Sequence, residues 1–506
     1  MLSKTFSFGL NGLDASLITI EADSGRGLPC MSVVGLPDSA VKESRDRVRA
    51  AIRNSGLAWP QGRVTINLAP ADTRKEGPSF DLAIALAVLG ADEKTSSESL
   101  ERFAFLGELS LSGSIKPVTG VISAAMAASS TQGLQGLIVP AENATEAALV
   151  SAIPVFGFKN INEVLLFLAN PAKSVPQACA DTLASVHNNE PDMSEIKGQH
   201  RARRALEVAA AGGHNILLIG PPGGGKTMLA RRFAGILPAM TRRELLETTR
   251  IRSVCGLLPP GTILQESRPF RSPHHTSSHI ALIGGGSNPR PGEITLAHNG
   301  VLFLDELPEF SRAALEALRQ PLEEGVVHVS RAARAVHFPA QFLLIGAMNP
   351  CPCGRRGDRQ NSCRCNDENI RRYLHRISGP LMERIDLHIR LPGLSSAELI
   401  DLPAGESSAS IRQRVEQARL LQYTRQHKTE ALCNAQLPSG KIKEYCWLDE
   451  ECRKLLKDAV DSLGLSARAH DKVLRVARTI SDLAGTKNIQ TEHLAEAISY
   501  RILDRA

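Results

Sequence analysis

Along the first third of the chain, short runs of β-branched and aliphatic residues alternate with alanine-rich runs of helical character. Residues 64–68 (VTINL) and 137–140 (LIVP) have strand composition, and 82–89 (LAIALAVL) lies between them as a helix. Such alternation predicts an α/β domain over residues 1–170. From there Pro, Ser and Asn mix without a period, so 171–191 is expected to be a linker. A second alternation occupies 192–392, with apolar strands predicted at 215–219, 300–304 and 342–348. The region 393–506 is expected to be helical, because Val473, Leu474, Val476, Ala477 and Ile480 recur at the spacing of one helix face. Residues 394–409 fit either a loop or the connection into that region, and no internal repeat or low-complexity tract interrupts the pattern.

Composition narrows the class. A chain of 506 residues calls for about three domains, and 42% hydrophobic with 22% charged residues excludes a largely disordered or fibrous protein. The longest apolar run, 82–91, is too short to cross a bilayer, and no signal-peptide core follows Met1. A soluble cytoplasmic protein with no membrane partner is therefore expected. The formal charge of +6 is uneven: residues 1–170 hold 14 basic and 17 acidic side chains, net −3, which leaves +9 for the rest. Any nucleic-acid surface is expected beyond residue 170. Aromatic residues at 4% argue against recognition by base stacking, so charge would carry such binding.

The predicted strand 215–219 (NILLI) runs into Gly220, Pro221, Pro222, Gly223, Gly224, Gly225, Lys226 and Thr227, and a helical run follows. This is G-x-x-x-x-G-K-T in its strand–loop–helix setting. Its backbone N–H groups can surround phosphate oxygens, Lys226 can reach the β and γ phosphates of ATP, and Thr227 can ligate Mg²⁺. Residues 300–306 (GVLFLDE) form a buried-type strand ending in two carboxylates, 78 residues beyond Thr227. Asp305 suits Mg²⁺, and Glu306 suits the general base that aligns an attacking water. Asn349, at the end of the next apolar strand, either holds that water or terminates the strand before Pro350.

Three further patterns carry chemistry. Two β-capable runs within 325–338 flank Arg331 and Arg334, which predicts a hairpin with two guanidinium groups near its tip. Those groups suit either DNA phosphates or contacts with neighbouring subunits or nucleotide. Cys351, Cys353, Cys363 and Cys365 form C-x-C-x₉-C-x-C, a set that either closes a tetrahedral zinc site or stays as free thiols; zinc is the expectation. Residues 331–390 around it hold 11 basic and 5 acidic groups. His274, His275 and His279 are spaced loosely, and fit loop histidines better than a metal site.

Taken together, GPPGGGKT, VLFLDE, GAMNPCPCG (346–354) and GPLMERIDL (379–387) resemble the magnesium-chelatase-like branch of the AAA+ ATPases, and closely the YifB/ComM family, over essentially the whole chain. The resemblance implies three parts: a Lon-protease-like (ribosomal S5 domain 2-like) N-terminal domain, a central AAA+ P-loop sheet over 192–392 with a helix-2 insertion, and a C-terminal helical lid. It implies that Asn349 is sensor 1, that Arg384 is an arginine finger acting on a neighbour's nucleotide, and that Arg468 is sensor 2. A ring follows, in this branch a homo-hexamer, with the 325–338 hairpin and the insertion text of 272–286 facing its pore. The resemblance further implies an ATP-driven helicase that promotes branch migration in recombination or natural transformation, with DNA and recombination proteins as partners. A protein-remodelling chaperone is a competing class. A chelatase motor subunit is another, disfavoured because such subunits are expected to resemble only the ATPase part.

Within 1–170, Gly77-Pro78-Ser79 sits where Lon proteases carry their nucleophile, and the segment matching their lysine places Ala124 at that position. Lys116 lies eight residues away. A Ser-Lys dyad needs its base, so no peptidase activity is expected, and Ser79 is read as a turn or helix-cap residue. The resemblance then gives this domain a role in ring assembly or DNA handling.

Overall fold

The computed structural model describes residues 2–71, 75, 77–178, 191–258, 267–286, 289–331, 334–357, 362–393, 405–426 and 432–501, with backbone alone for Ser39, Ala40, Arg331 and Arg334. Its chain divides into two compact units: Met1–Val186 with Arg242–Glu266, and His187–Thr241 with Ser267–Ala506.

The first unit is built on a seven-stranded sheet whose strands run, edge to edge, Cys30–Val34, Arg63–Ala69, Asp14–Gly25, Leu2–Asn11, Phe103–Phe105, Gly136–Pro140 and Val155–Phe158. Residues 2–25 form a long antiparallel hairpin, Leu2 opposite Asp23 through Asn11 opposite Asp14. Its first strand turns Ser3, Thr5 and Ser7 inward, all buried, opposite Ala22, Ile20 and Ile18 of the second. Small polar side chains are tolerated there because a helix lies close: Thr5 Oγ1 donates to the Ala83 carbonyl at 3.1 Å, and a Cβ on Gly90 would fall 2.3 Å from Ser3 Oγ. That helix, Asp81–Ala91, is apolar all round after its first residue and every one of its residues is buried. Asp81 opens it as a fully buried carboxylate that accepts from Ser44 Oγ, from Arg47 Nε at 2.9 Å and from the Leu109 N–H at 3.2 Å.

The helix Arg242–Val254, inside the stretch that sequence assigns to 192–392, packs in this first unit. Arg250 fixes it, donating to the Leu13 carbonyl at 2.7 Å, to Ser123 Oγ at 3.1 Å and to Asp14 at 2.6 Å. The Ser253 carbonyl accepts from the Gly120 N–H at 3.1 Å, and its hydroxyl donates to Glu146. Burial pushes the Glu146 carboxyl above the usual carboxylate range, with the bonds from Ser253 and Asn143 pulling the other way.

The second unit holds a five-stranded all-parallel sheet, in the order Phe270–Arg271, Val301–Leu304, Leu343–Met348, Ile216–Ile219, Leu387–Arg390. The helices His200–Gly212, Ser408–Gln426 and Ala467–Leu483 add Leu206, Val415, Val473, Val476 and Ile480 to the same apolar core as Ile216, Leu218, Phe303 and Ile345, so sheet and helical region share one interior. A buried charge cluster lies within it. Asp386 accepts from Lys472 Nζ at 2.6 Å and from the Asn215 N–H at 2.9 Å, and lies 3.8 Å from His214 Nδ1. Among the described residues no helix is long and apolar enough to cross a membrane.

Candidate active site

Ligands of open parallel sheets bind beyond the carboxyl ends of the strands, and the candidate residues lie at that edge. The register puts them there: Ile219 pairs with Met348 and Leu304 with Gly346, so Gly220, Asn349 and Asp305 emerge from adjacent strand ends. The Gly220 N–H donates to the Met348 carbonyl at 3.2 Å. Gly223 and Gly225 have φ of 74° and 81°, the left-handed region that favours glycine, and this lets the loop curl before the helix Lys226–Phe233.

Lys226 Nζ donates to the carbonyls of Gly220 and Pro221 at 2.8 and 2.9 Å and to Asn349 Oδ1 at 3.2 Å. Those three acceptors are neutral oxygens. Burial therefore holds this ammonium below the usual lysine range, opposed by the fields of Asp305 and Glu306. Thr227 Oγ1 donates to Asp305 Oδ2 at 2.8 Å. Glu306 follows at φ 51°, left-handed and not glycine, a strain on the order of 1 kcal/mol kept at a chemically loaded position. Its carboxylate is about half exposed and lies 3.3 Å from His275 Nδ1.

The guanidinium of Arg384 is nearly buried and bonds Glu323, while Arg468, two-thirds exposed, reaches Glu383 at 3.5 Å. Both arginines act on Glu323, whose carboxyl is held below the usual range, first by its hydrogen bond to Arg384 and then by the charges of Arg384, Arg468 and Arg319. Their side-chain partners thus belong to a separate acidic cluster and not to the phosphate loop.

Outside the nucleotide edge, Val326–Arg331 and Arg334–Pro339 pair antiparallel as a hairpin, with Arg331 opposite Arg334. Val327, Val329, Val336 and Phe338 are buried and His328, Ser330, Ala335 and His337 exposed, the alternation a half-buried hairpin requires. The Sγ atoms of Cys351, Cys353, Cys363 and Cys365 all lie within 4.8 Å of one another. Their nearest separations, 3.4 to 3.6 Å, exceed a disulfide bond and approach the roughly 3.8 Å edge of a tetrahedral zinc–thiolate site. His274, His275 and His279 join no metal-like cluster among the described residues. In the first unit Ser79 sits in the short turn Pro78–Phe80; no side chain caps the helix that follows, so the helix-cap alternative falls and the turn remains. Ala124 is buried on the helix Val121–Ser130, and its neighbour Ser123 is occupied with the Leu13 carbonyl and Arg250.

Sequence reasoning missed the His275–Glu306 contact and the Gln199 amide, which reaches the Gly224 carbonyl at 3.4 Å and the Pro392 carbonyl at 3.3 Å. No usable signal existed for His275: it closely follows Phe270–Arg271, a strand of the same parallel sheet, and two residues are too few to be read as a strand.

A five-stranded parallel sheet with Lys226, Thr227, Asp305 and Asn349 converging at its carboxyl edge defines an AAA+ ATPase of the magnesium-chelatase-like class. The family described as magnesium chelatase, subunit ChlI, matches residues 192–399, its C-terminal counterpart 405–501, and the family described as subunit ChlI of Mg-chelatase 20–143. This last match removes the argument that the N-terminal region separates the chain from chelatase subunits. The chain belongs to the YifB/ComM family: it is 46% identical to the uncharacterized protein YifB of Salmonella typhimurium over 498 residues, 98% of this chain and 96% of that relative. To the competence protein ComM of Haemophilus influenzae it is 44% identical over 511 residues, 100% of this chain and 98% of that relative. It is also 32% identical to Lon protease 2 of Bacillus subtilis over 183 residues, 31% of this chain and 32% of that relative.

Proposed function

We propose that the protein is an ATP-hydrolysing homo-hexameric motor that acts on DNA, a helicase promoting branch migration in recombination or the integration of incoming DNA. The observation that carries the ATPase part is the meeting of Lys226 with Asn349 and of Thr227 with Asp305. The residues fit Mg²⁺-ATP: a buried ammonium whose partners are all neutral suits phosphate oxygens, and a hydroxyl beside a carboxylate suits a hard cation. When bound, Mg²⁺-ATP supplies the transferable phosphoryl group. Lys226 then exchanges its carbonyl partners for phosphate oxygens, Glu306 accepts a proton from water, and Asn349 orients that water. Arg384 acts on the nucleotide of the adjacent subunit as the arginine finger, and Arg468 serves as sensor 2.

The DNA part rests on the hairpin that pairs Arg331 with Arg334 in a basic stretch, which suits backbone contacts with little sequence preference. Cofactors are ATP, Mg²⁺ and zinc on the four clustered thiols. The resemblance of the chain to ComM, named for competence, supports recombination proteins as partners. A chelatase-type motor is the second reading, favoured by the descriptions of the matching families. ATPase activity measured with and without forked DNA and Holliday junctions, followed by unwinding of the same substrates, separates the two. Stimulation and unwinding that disappear in Lys226→Ala and Glu306→Gln are expected, and ATPase indifferent to any DNA overturns the DNA motor.

A further inference from the structure

We propose that zinc held by Cys351, Cys353, Cys363 and Cys365 is a positioning element of the nucleotide site, pinning the segment that carries Asn349 against the phosphate loop. The inference rests on the nucleotide reading given above. Asn349 and Cys351 are separated only by Pro350, whose ring fixes one backbone angle, so restraint of Cys351 is passed to Asn349 with little slack. Cys351 is itself fully buried.

The other side of the loop touches the phosphate loop. Gly354, at φ 75°, lies so close to Pro222 that an added Cβ would come within 2.7 Å of its Cδ and within 3.8 Å of Asn349 Cγ. A turn is closed there by the Gly354 N–H donating to the Cys351 carbonyl at 2.9 Å. The far end of the cysteine loop is also anchored. Cys365 lies one residue before Asn366, which caps the helix Asp367–Leu374, and Tyr373 of that helix is buried with its hydroxyl interacting with the Asn349 backbone N–H. The loop therefore leaves Asn349 and returns to it, with Pro222 between, and the four sulfurs are what holds its two halves together.

Zinc suits the donor set: four soft thiolates in a tetrahedral cluster make a closed structural site with no open coordination position. Its role is then mechanical. Bound zinc keeps Asn349 Oδ1 in reach of Lys226 and Pro222 in place; its loss frees both.

The test uses the full chain as purified, after chelator stripping, and after zinc is added back. Zinc is counted by mass spectrometry, hydrogen–deuterium exchange is followed at peptides covering 216–227 and 343–354, and kcat and KM for ATP are measured. Expected are about one zinc per chain, exchange about 10-fold faster at both peptides on stripping, and kcat down about 10-fold or more with KM within about threefold, all restored by zinc. Cys363→Ser should reproduce the stripped state. Gly354→Ala keeps all four thiols, so it should retain zinc yet loosen the 216–227 peptide. Zinc well below one per chain in untreated protein, or a 216–227 peptide indifferent to stripping, overturns the proposal. A zinc-loaded protein without ATPase activity whose exchange still depends on zinc overturns the nucleotide reading and sustains the brace.

Discussion

One chain carries two places where a catalytic site is written into the sequence, and they differ in what converges on them. At the sheet edge of the second unit, Lys226, Thr227, Asp305 and Asn349 come from three different strand ends and meet through bonds of 2.8 to 3.2 Å. In the first unit, Ser79 keeps the protease wording but lies in a plain turn, and the position of its base is a buried alanine. Around it, polar groups serve the fold: Ser123 bonds Leu13 and Arg250, and Asp81 gathers Ser44, Arg47 and Leu109. The mark of chemistry is convergence from separate elements.

The contrast is sharpest in hydrolysis. Glu306→Gln should lower ATPase kcat by a factor on the order of 10³ to 10⁴, the upper range for removing a general base, while nucleotide binding persists; an unchanged kcat removes Glu306 from that role. Asp81→Asn should leave chemistry alone and cost the first unit about 3 kcal/mol, since Arg47 is left half-paired beside a buried amide. Urea unfolding followed by probes in each unit would show that loss in one transition only.

Acidity should divide the units in opposite directions. His388, buried with neither ring nitrogen partnered among the described residues, is pushed down to about 3 by burial and then by the charges of Arg501 and Lys472. Between about 6.5, the unfolded value, and 3 the unfolded chain binds a proton that the folded unit refuses. Stability of the second unit therefore falls as pH drops through that window, by up to about 1.4 kcal/mol per pH unit, and His388→Leu should flatten the slope. Glu146 in the first unit is shifted upward, so there the folded state holds the extra proton and stability falls as pH rises past the ordinary carboxylate range. Parallel acid profiles for the two units would contradict the assignment. The smallest effect expected is that of Ser79→Ala, under about 0.5 kcal/mol in stability, with casein left uncleaved before and after; ATP-dependent cleavage that the substitution abolishes would restore the protease reading.

The nucleotide site was legible because its chemistry is local in sequence: a loop between an apolar strand and a helix, and carboxylates at a strand end. Partners fixed by tertiary register were not. That Lys226 and Asn349 bond follows from the strand order, and that His275 meets Glu306 depends on a two-residue strand with no pattern of its own. The opening hairpin was missed for a different reason. Its first strand buries Ser3, Thr5 and Ser7 beside Ala22, Ile20 and Ile18 of the second, so the polar side chains of the first strand face the core, made possible by the close-lying helix. Sequence patterning also placed Arg242–Val254 with the ATPase, because its docking partners, Leu13, Gly120 and Glu146, are far away along the chain.

That helix has a consequence for how the protein is made. The first unit has its docking helix in full only when residue 254 has been synthesised, 68 residues after its main stretch ends at Val186. At roughly 5 to 20 residues per second this is a wait of roughly 3 to 14 s, during which Glu146 lacks the bond from Ser253, the Leu13 carbonyl lacks the bonds from Arg250, and the strand and phosphate loop of the second unit are already being extruded. The two units therefore mature in an interleaved order on the ribosome, and a gene fragment cut at the apparent linker would yield a first unit that never receives its last helix.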